Sequence, residues 1–169
     1  ISTIKKMIPP EIIAGSFARP FDTKNLLLKM DMLTRSDKRK EAEDNRIKHL
    51  LLVDDDAIFL TMMQGCLSDK YKITAVKSSM QAMGFLNTQK PDLILLDYEM
   101  PVTSGPEMLT MLRKTPATAS IPVIFLTGKA DRNSVMKVMS LKPNGYLLKT
   151  MSNKEIVASV DEFFRSINK

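Results

Sequence analysis

Leu93-Ile94-Leu95-Leu96-Asp97 is a run of four large aliphatic residues that ends in a carboxylate. A strand with one wet face alternates apolar and polar residues, so an unbroken run marks a strand covered on both faces, as in a parallel sheet between two layers of helix. Val123-Ile124-Phe125-Leu126 has the same character and ends in Thr127. Outward from these two, short apolar segments at His49–Val53, Lys72–Val76, Leu93–Asp97, Pro122–Thr127 and Gly145–Leu148 read as strands. Helical periodicity predicts Ala57–Leu67, Ser79–Thr88, Gly105–Lys114, Arg132–Leu141 and Ser152–Ile167 between and after them. In the last helix Ser152 and Glu155 form a capping-box start, and Ile156, Val157, Val160, Phe163, Phe164 and Ile167 mark a buried face. Strict strand–helix alternation with right-handed crossovers specifies an α/β fold, a doubly wound (βα)5 flavodoxin-like parallel sheet with expected strand order 2-1-3-4-5.

Composition narrows the function classes. The 169 residues are 44% apolar and 26% charged, with no apolar run near the roughly 20 residues that span a bilayer, so no membrane partner is expected. Cys66, the single cysteine, has no internal disulfide partner; beside Met62, Met63 and Leu67 it reads as a small core residue, and a cytoplasmic location is expected. The net charge of +6 is concentrated in residues 1–49, where eleven Lys/Arg face seven Asp/Glu. Acids and bases are interleaved there, from Arg35 to Asp44, as on a solvated helix or linker, and nucleic acid is not an expected partner. The chain begins with Ile1, without a signal-peptide pattern, and is expected to be a piece of a longer protein.

In such a sheet function gathers at the carboxyl ends of the strands. Asp54, Asp55 and Asp56 follow the first predicted strand, Asp97 ends the third, Thr127 ends the fourth and Lys149 follows the fifth. Carboxylates crowded at one edge repel one another, which implies a hard divalent cation, and Mg2+ suits a few carboxylates plus phosphate oxygens. A carboxylate that attacks phosphorus needs its developing charge stabilised, and the ion, a Lys ammonium and a Thr hydroxyl can do so together. The chemistry expected is phosphoryl transfer onto Asp97. Asp56 is expected to cap the first helix, and His49, at the opposite end of its strand, to be structural.

At these positions the sequence resembles the response-regulator receiver family over residues 49–167. Leu51-Leu52-Val53-Asp54-Asp55-Asp56 is similar to the family's first strand and acidic pair, Leu95-Leu96-Asp97-Tyr98-Glu99-Met100-Pro101 with Gly105 to its acceptor motif, Phe125-Leu126-Thr127-Gly128 to its switch threonine, and Gly145-Tyr146-Leu147-Leu148-Lys149 to its switch aromatic and lysine. The resemblance implies Asp97 as phospho-acceptor, with Thr127 and Lys149 as its catalytic companions. It implies Mg2+ held by Asp54, Asp55, Asp97 and the backbone carbonyl of Glu99, and switching through Thr127 and Tyr146. The donor would be a histidine kinase or phosphotransfer protein, and the chain a self-phosphorylating and self-dephosphorylating switch rather than an enzyme. Phosphorylation would draw Thr127 inward, let Tyr146 turn in, and repack the surface of the fourth predicted helix, fifth strand and last helix, through which a homodimer could also form. Thr150 departs from the family pattern, standing where proline usually follows the lysine. A cis bond to a non-proline residue costs about 3 kcal/mol, so the Lys149–Thr150 bond is expected trans.

Residues 1–47 contain an echo of the same pattern. Gly15 to Leu27 aligns without gaps onto Gly145 to Val157 at a constant offset, placing Arg19 where Lys149 stands. The expected organisation is therefore 1–47 as the terminal strand and long helix of a preceding receiver-like domain, an N-terminal strand–helix extension, and 48–169 as a receiver domain. The N-terminal helix is a second possible dimer surface. Two rival readings remain: a pseudo-receiver that only dimerises, and a haloacid-dehalogenase-like phosphatase. The latter normally carries Asp-x-Asp at its nucleophile, where this chain has Asp97-Tyr98-Glu99. Glu99 and Lys129 each stand two residues beyond an active-edge residue, and the resemblance implies that these positions overhang the acceptor, where the two charges are expected to pair as a lid.

Overall fold

The computed structural model describes Leu28, residues 46–128 and residues 140–167. Ile47–Lys169 forms one compact unit. Its strands are β1 (His49–Val53), β2 (Lys72–Val76), β3 (Leu93–Asp97), β4 (Val123–Thr127) and β5 (Gly145–Leu148), all parallel and in the order β2-β1-β3-β4-β5. The described helices are α1 (Ala57–Leu67), α2 (Ser79–Leu86), α3 (Gly105–Lys114) and α4 (Asn153–Ile167).

Alternation along each strand divides the core into two layers. Leu51, Val53, Ile94, Leu96 and Phe125 pack with Ala82 and Leu86 of α2 and with Met108, Leu109 and Leu112 of α3. Leu50, Leu52, Leu93, Leu95, Ile124 and Leu126 face the other way, onto Leu60, Met63 and Leu67 of α1 and Ile156, Val160 and Phe164 of α4. Every residue of β1, β3 and β4 is buried, the physical counterpart of their unbroken apolar runs.

The helix starts follow their caps. Asp56 accepts from the N–H groups of Ile58 and Phe59, Ser78 from Gln81, and Ser104 and Ser152 form reciprocal boxes with Glu107 and Glu155. Three expected boundaries shift, the slightest being the start of α4 at Asn153, which leaves Ser152 as its capping residue. Helix α2 stops at Leu86 rather than Thr88, because the Asn87 and Thr88 amides turn back onto Met83 and Phe85 and Pro91 lies ahead. Strand β4 begins at Val123 because Pro122 has no N–H for the ladder, although its carbonyl accepts from Ile94 at 3.0 Å. Cys66 is half-exposed rather than core. It lies at the edge of the buried face of α1 that Met63 and Leu67 mark, bordering a surface hollow with Lys70, Lys154 and Asp161. His49 is structural as expected: buried, its Nε2 lies 2.9 Å from Thr74 Oγ1 and its ring meets Phe85 edge-on. The predicted helix Arg132–Leu141 falls outside the described residues up to position 139, with Ser140 and Leu141 in a turn. The leader reading over residues 1–47 also lies outside them, apart from helical Leu28 and the segment from Arg46.

Candidate functional site

The ends of β1 and β3 and the residue after β5 meet where the sheet changes winding direction. Asp54 and Asp97 are buried, at 1% and 4% exposure, while Asp55 is exposed. One carboxylate oxygen from each of Asp54, Asp55 and Asp97 lies within 4.8 Å of the others. Asp56 is turned away to cap α1, its Oδ1 2.8 Å from the amide of Ile58. The four consecutive positions from Val53 thus separate a core residue, two cluster carboxylates and a cap.

Lys149 reaches the cluster from behind β5. Its Nζ lies 2.7 Å from Asp54 Oδ2 and 3.1 Å from Asp97 Oδ2. Its backbone N–H donates to the Thr127 carbonyl at 2.7 Å, which continues the β4–β5 ladder and fixes the lysine's starting point despite Thr150 following it. Thr127 itself is buried at the end of β4.

Burial dominates the electrostatics. It raises the Asp97 carboxyl, with the nearby Asp54 charge adding to the effect; Lys149 and the Glu99 backbone N–H oppose them, and the result is about 6. Asp54 is raised for the same first reason, against the Lys149 ammonium and the Asp56 amide, which donates to Asp54 Oδ1 at 3.0 Å. Burial works against the Lys149 charge, but its hydrogen bonds and attraction to Asp54 and Asp97 outweigh that and hold the ammonium above its ordinary range.

The donor set fits a hard divalent cation. Three carboxylates converge on one point, two of them buried, with one lysine ammonium against them, and all the ligand atoms are oxygen. Glu99 brings its main chain to the same place, with its N–H on the Asp97 carboxylate.

The segment after Asp97 is tightly constrained. Gly105 donates its N–H to the Tyr98 carbonyl at 3.1 Å, and a Cβ at that position would lie 2.2 Å from the Asp97 carbonyl oxygen, so only glycine fits. Val102 is fully exposed with φ 68°, flanked by a 2.8 Å hydrogen bond from the Thr103 N–H to the Pro101 carbonyl. That is a strained conformation for a β-branched residue.

Tyr146 is half-buried, its ring 6.4 Å from that of Phe125, which meets Tyr98 at 6.0 Å. Its hydroxyl is buried and has no hydrogen-bond partner among the described residues. The ring is thus already packed, so any inward turn begins from the core side rather than from solvent. Lys129, the expected partner of Glu99, lies outside the described residues. Sequence reading missed Phe59, whose ring lies 5.0 Å below Lys149 Nζ. The available signal was its spacing: three residues past the Asp56 cap, it sits in the first turn of α1, beside the acidic cluster.

An acidic cluster with a basic companion at the switch point of a 2-1-3-4-5 parallel sheet defines a phosphoryl-signalling class of α/β domain. The model of the response regulator receiver domain family matches residues 50–161, and the chain belongs to that family as a receiver domain of two-component systems. Among similar proteins, the phosphate regulon transcriptional regulatory protein PhoB of Pseudomonas aeruginosa is 33% identical over 119 residues, covering 70% of this chain and 52% of PhoB. Sensor histidine kinase TmoS of Ectopseudomonas mendocina is 31% identical over 111 residues, 66% of this chain and 11% of TmoS. The chain thus spans about half the length of the PhoB proteins it matches. Among solved structures, the phosphorylated cyanobacterial phytochrome response regulator RcpA superposes with a TM-score of 0.65 at 27% identity, over 72% of this chain and 96% of RcpA. Among the described residues no helix is long and apolar enough to cross a membrane.

Proposed function

We propose that Asp97 is the phospho-acceptor and that Asp54, Asp55 and Asp97, with the Glu99 carbonyl, hold Mg2+. The observation that carries this reading is the convergence of three carboxylates and Lys149 Nζ on one point at the carboxyl edge. When bound, Mg2+ would neutralise charge on the phosphoryl oxygens. An Asp97 carboxylate oxygen forms the bond to phosphorus as the donor's bond to phosphorus breaks, and the electron pair leaves with the donor. Lys149 follows the charge, since its ammonium already spans Asp54 and Asp97 and need only share its protons with the new phosphoryl oxygens. Thr127 supplies a hydroxyl from the neighbouring strand end, and Tyr146 is the aromatic whose packing responds.

The donor is proposed to be a histidine kinase or phosphotransfer protein, a class to which the similar protein TmoS belongs by name. The responding surface is β5, α4 and the segment before β5, which is also the proposed homodimer face, with the N-terminal segment as the other. Residues 48–169 form the receiver in this reading. Residues 1–47 are the end of a preceding receiver-like domain, supported by the ungapped correspondence of Gly15–Leu27 with Gly145–Val157.

The test is incubation of the full chain with acetyl phosphate and Mg2+, followed by intact mass. One added phosphoryl group is expected in the wild type and none in Asp97→Asn, whose amide keeps the shape without the nucleophile. A labelled Asp97→Asn protein, or a wild type that takes no label, overturns the assignment.

A further inference from the structure

Among the described residues Lys149 has three neighbours at its charged end, and two of them would change during a phosphorylation cycle. Asp54 and Asp97 are the partners of its ion pairs, at 2.7 and 3.1 Å. On the proposed function, which this inference rests on, both share their oxygens with a cation and Asp97 also takes a phosphoryl group. The third neighbour does not change. The Phe59 ring centroid lies 5.0 Å from Nζ, within the range in which an aromatic face attracts an ammonium.

We infer that Phe59 is a positioning residue for Lys149, a neutral aromatic seat that keeps the ammonium over the acceptor edge while the carboxylates exchange partners.

The local structure supports a fixed seat. Phe59 is 8% exposed and packed in the layer formed by Leu50, Leu52, Leu60, Leu95 and Leu126. Its own N–H donates to the capping carboxylate of Asp56 at 3.2 Å, so the first turn of α1 cannot swing without losing its cap. Lys149 is attached differently. It follows β5 and reaches in with a four-carbon stem, and its side chain keeps 20% exposure. A long flexible chain of this kind needs a lateral contact to hold one geometry once its ion pairs are diluted. An aliphatic residue at position 59 would fill the same space yet offer the ammonium no negative face.

The test separates ring electrostatics from ring volume. Phe59 is replaced in the full chain by mono-, di- and trifluorophenylalanine, which withdraw charge from the face with little change in size, and by Phe59→Leu. Two readouts are taken: the rate constant of labelling by acetyl phosphate with Mg2+, split into kcat and KM, and the NMR order parameter of the Lys149 ε-methylene with saturating Mg2+ alone. Urea unfolding of each variant monitors the core. The expected result is a stepwise fall in kcat with fluorination, reaching about two- to five-fold, with KM and unfolding midpoint unchanged and Lys149 becoming more mobile in step. Order and rate both flat across the fluorinated series overturn the inference and leave Phe59 as core packing; a flat order parameter beside normal labelling overturns it while the acceptor assignment stands. If the wild type takes no label but Lys149 order still tracks ring charge, the seat is supported and the acceptor assignment fails.

Discussion

Removing the charge at position 97 should stabilise the fold, because the ionised Asp97 carboxylate is held in a site that disfavours it. Burial, helped by Asp54, lifts it from 3.8 to about 6 in the folded chain. A raised acid makes the folded state bind a proton that the unfolded state has already released. Stability from this group therefore falls as pH rises between about 4 and 6 and stays at its lower level above that. Integrated over the shift, the penalty is about 3 kcal/mol at pH 7.5 and about 1 kcal/mol at pH 4.5. Asp97→Asn carries no such penalty, and it leaves Lys149 to Asp54 alone. Urea unfolding of the full chain in EDTA at pH 7.5 should show the variant's midpoint raised by about 1 to 2 M, for a typical urea slope, with the gap closing towards pH 4.5. Mg2+ should narrow the gap from the other side, since a ligand at about 100 times its Kd adds about 2.7 kcal/mol to the protein that binds it, here chiefly the wild type. An Asp97→Asn protein equal to or less stable than the wild type at pH 7.5 without Mg2+ would refute the reasoning.

Other substitutions divide the roles further. Asp55→Ala should weaken Mg2+ binding at least ten-fold by titration with little loss of stability, whereas Asp56→Ala should cost about 1 kcal/mol through the lost cap and bind Mg2+ nearly as the wild type does. Equal losses of Mg2+ affinity would contradict that division. Val102→Gly should raise the unfolding free energy by about 0.5 to 1 kcal/mol by relieving the φ 68° strain of a fully exposed side chain, and a destabilised variant would mean that the valine makes an unrecognised contact. Glu99→Ala and Lys129→Ala should each shorten the phosphoryl lifetime several-fold, the double variant adding little because either change opens the same lid. Unchanged dephosphorylation in both single variants would remove the lid.

The sequence revealed most where burial was complete. Leu93–Leu96 and Val123–Leu126 have no polar position to misread, and the strands containing them ended where expected, at Asp97 and Thr127. The weaker readings fell where one residue type serves two environments. Cys66 lies in an apolar stretch but at the edge of the face that Met63 and Leu67 bury, where composition gives no warning of exposure. Thr88 suits a helix by pattern, yet Pro91 three residues on had already limited how far α2 could run. The acidic edge was legible because the strand ends select it, but the aromatic seat beneath Lys149 was not. Phe59 is one apolar residue among several in α1, and only the fold brings it under a lysine ninety positions later.

The same distances place Lys149 at the centre of a competition. Its ammonium offsets part of the repulsion between Asp54 and Asp97 in the protein without a cation, and a divalent ion held by Asp54, Asp55 and Asp97 would compete with it for the same two buried carboxylates. Lysine and cation are thus partial substitutes at Asp54. On the proposed function they differ at Asp97, because an ion pair with a buried carboxylate lowers its reactivity only while Nζ is bound to the attacking oxygen. Shifting Lys149 from the carboxylate to incoming phosphoryl oxygens would then free the proposed nucleophile and stabilise the developing charge in one movement. That movement favours a lysine over an arginine. A compact ammonium can exchange partners about a single pivot, whereas a guanidinium would hold one carboxylate through two parallel hydrogen bonds. Lys149→Arg should therefore retain the charge and much of the stability but lose labelling by acetyl phosphate at least ten-fold, a loss read in kcat rather than in Mg2+ affinity. If Lys149→Arg labels at the wild-type rate, charge alone is sufficient at this position and the pivot has no role.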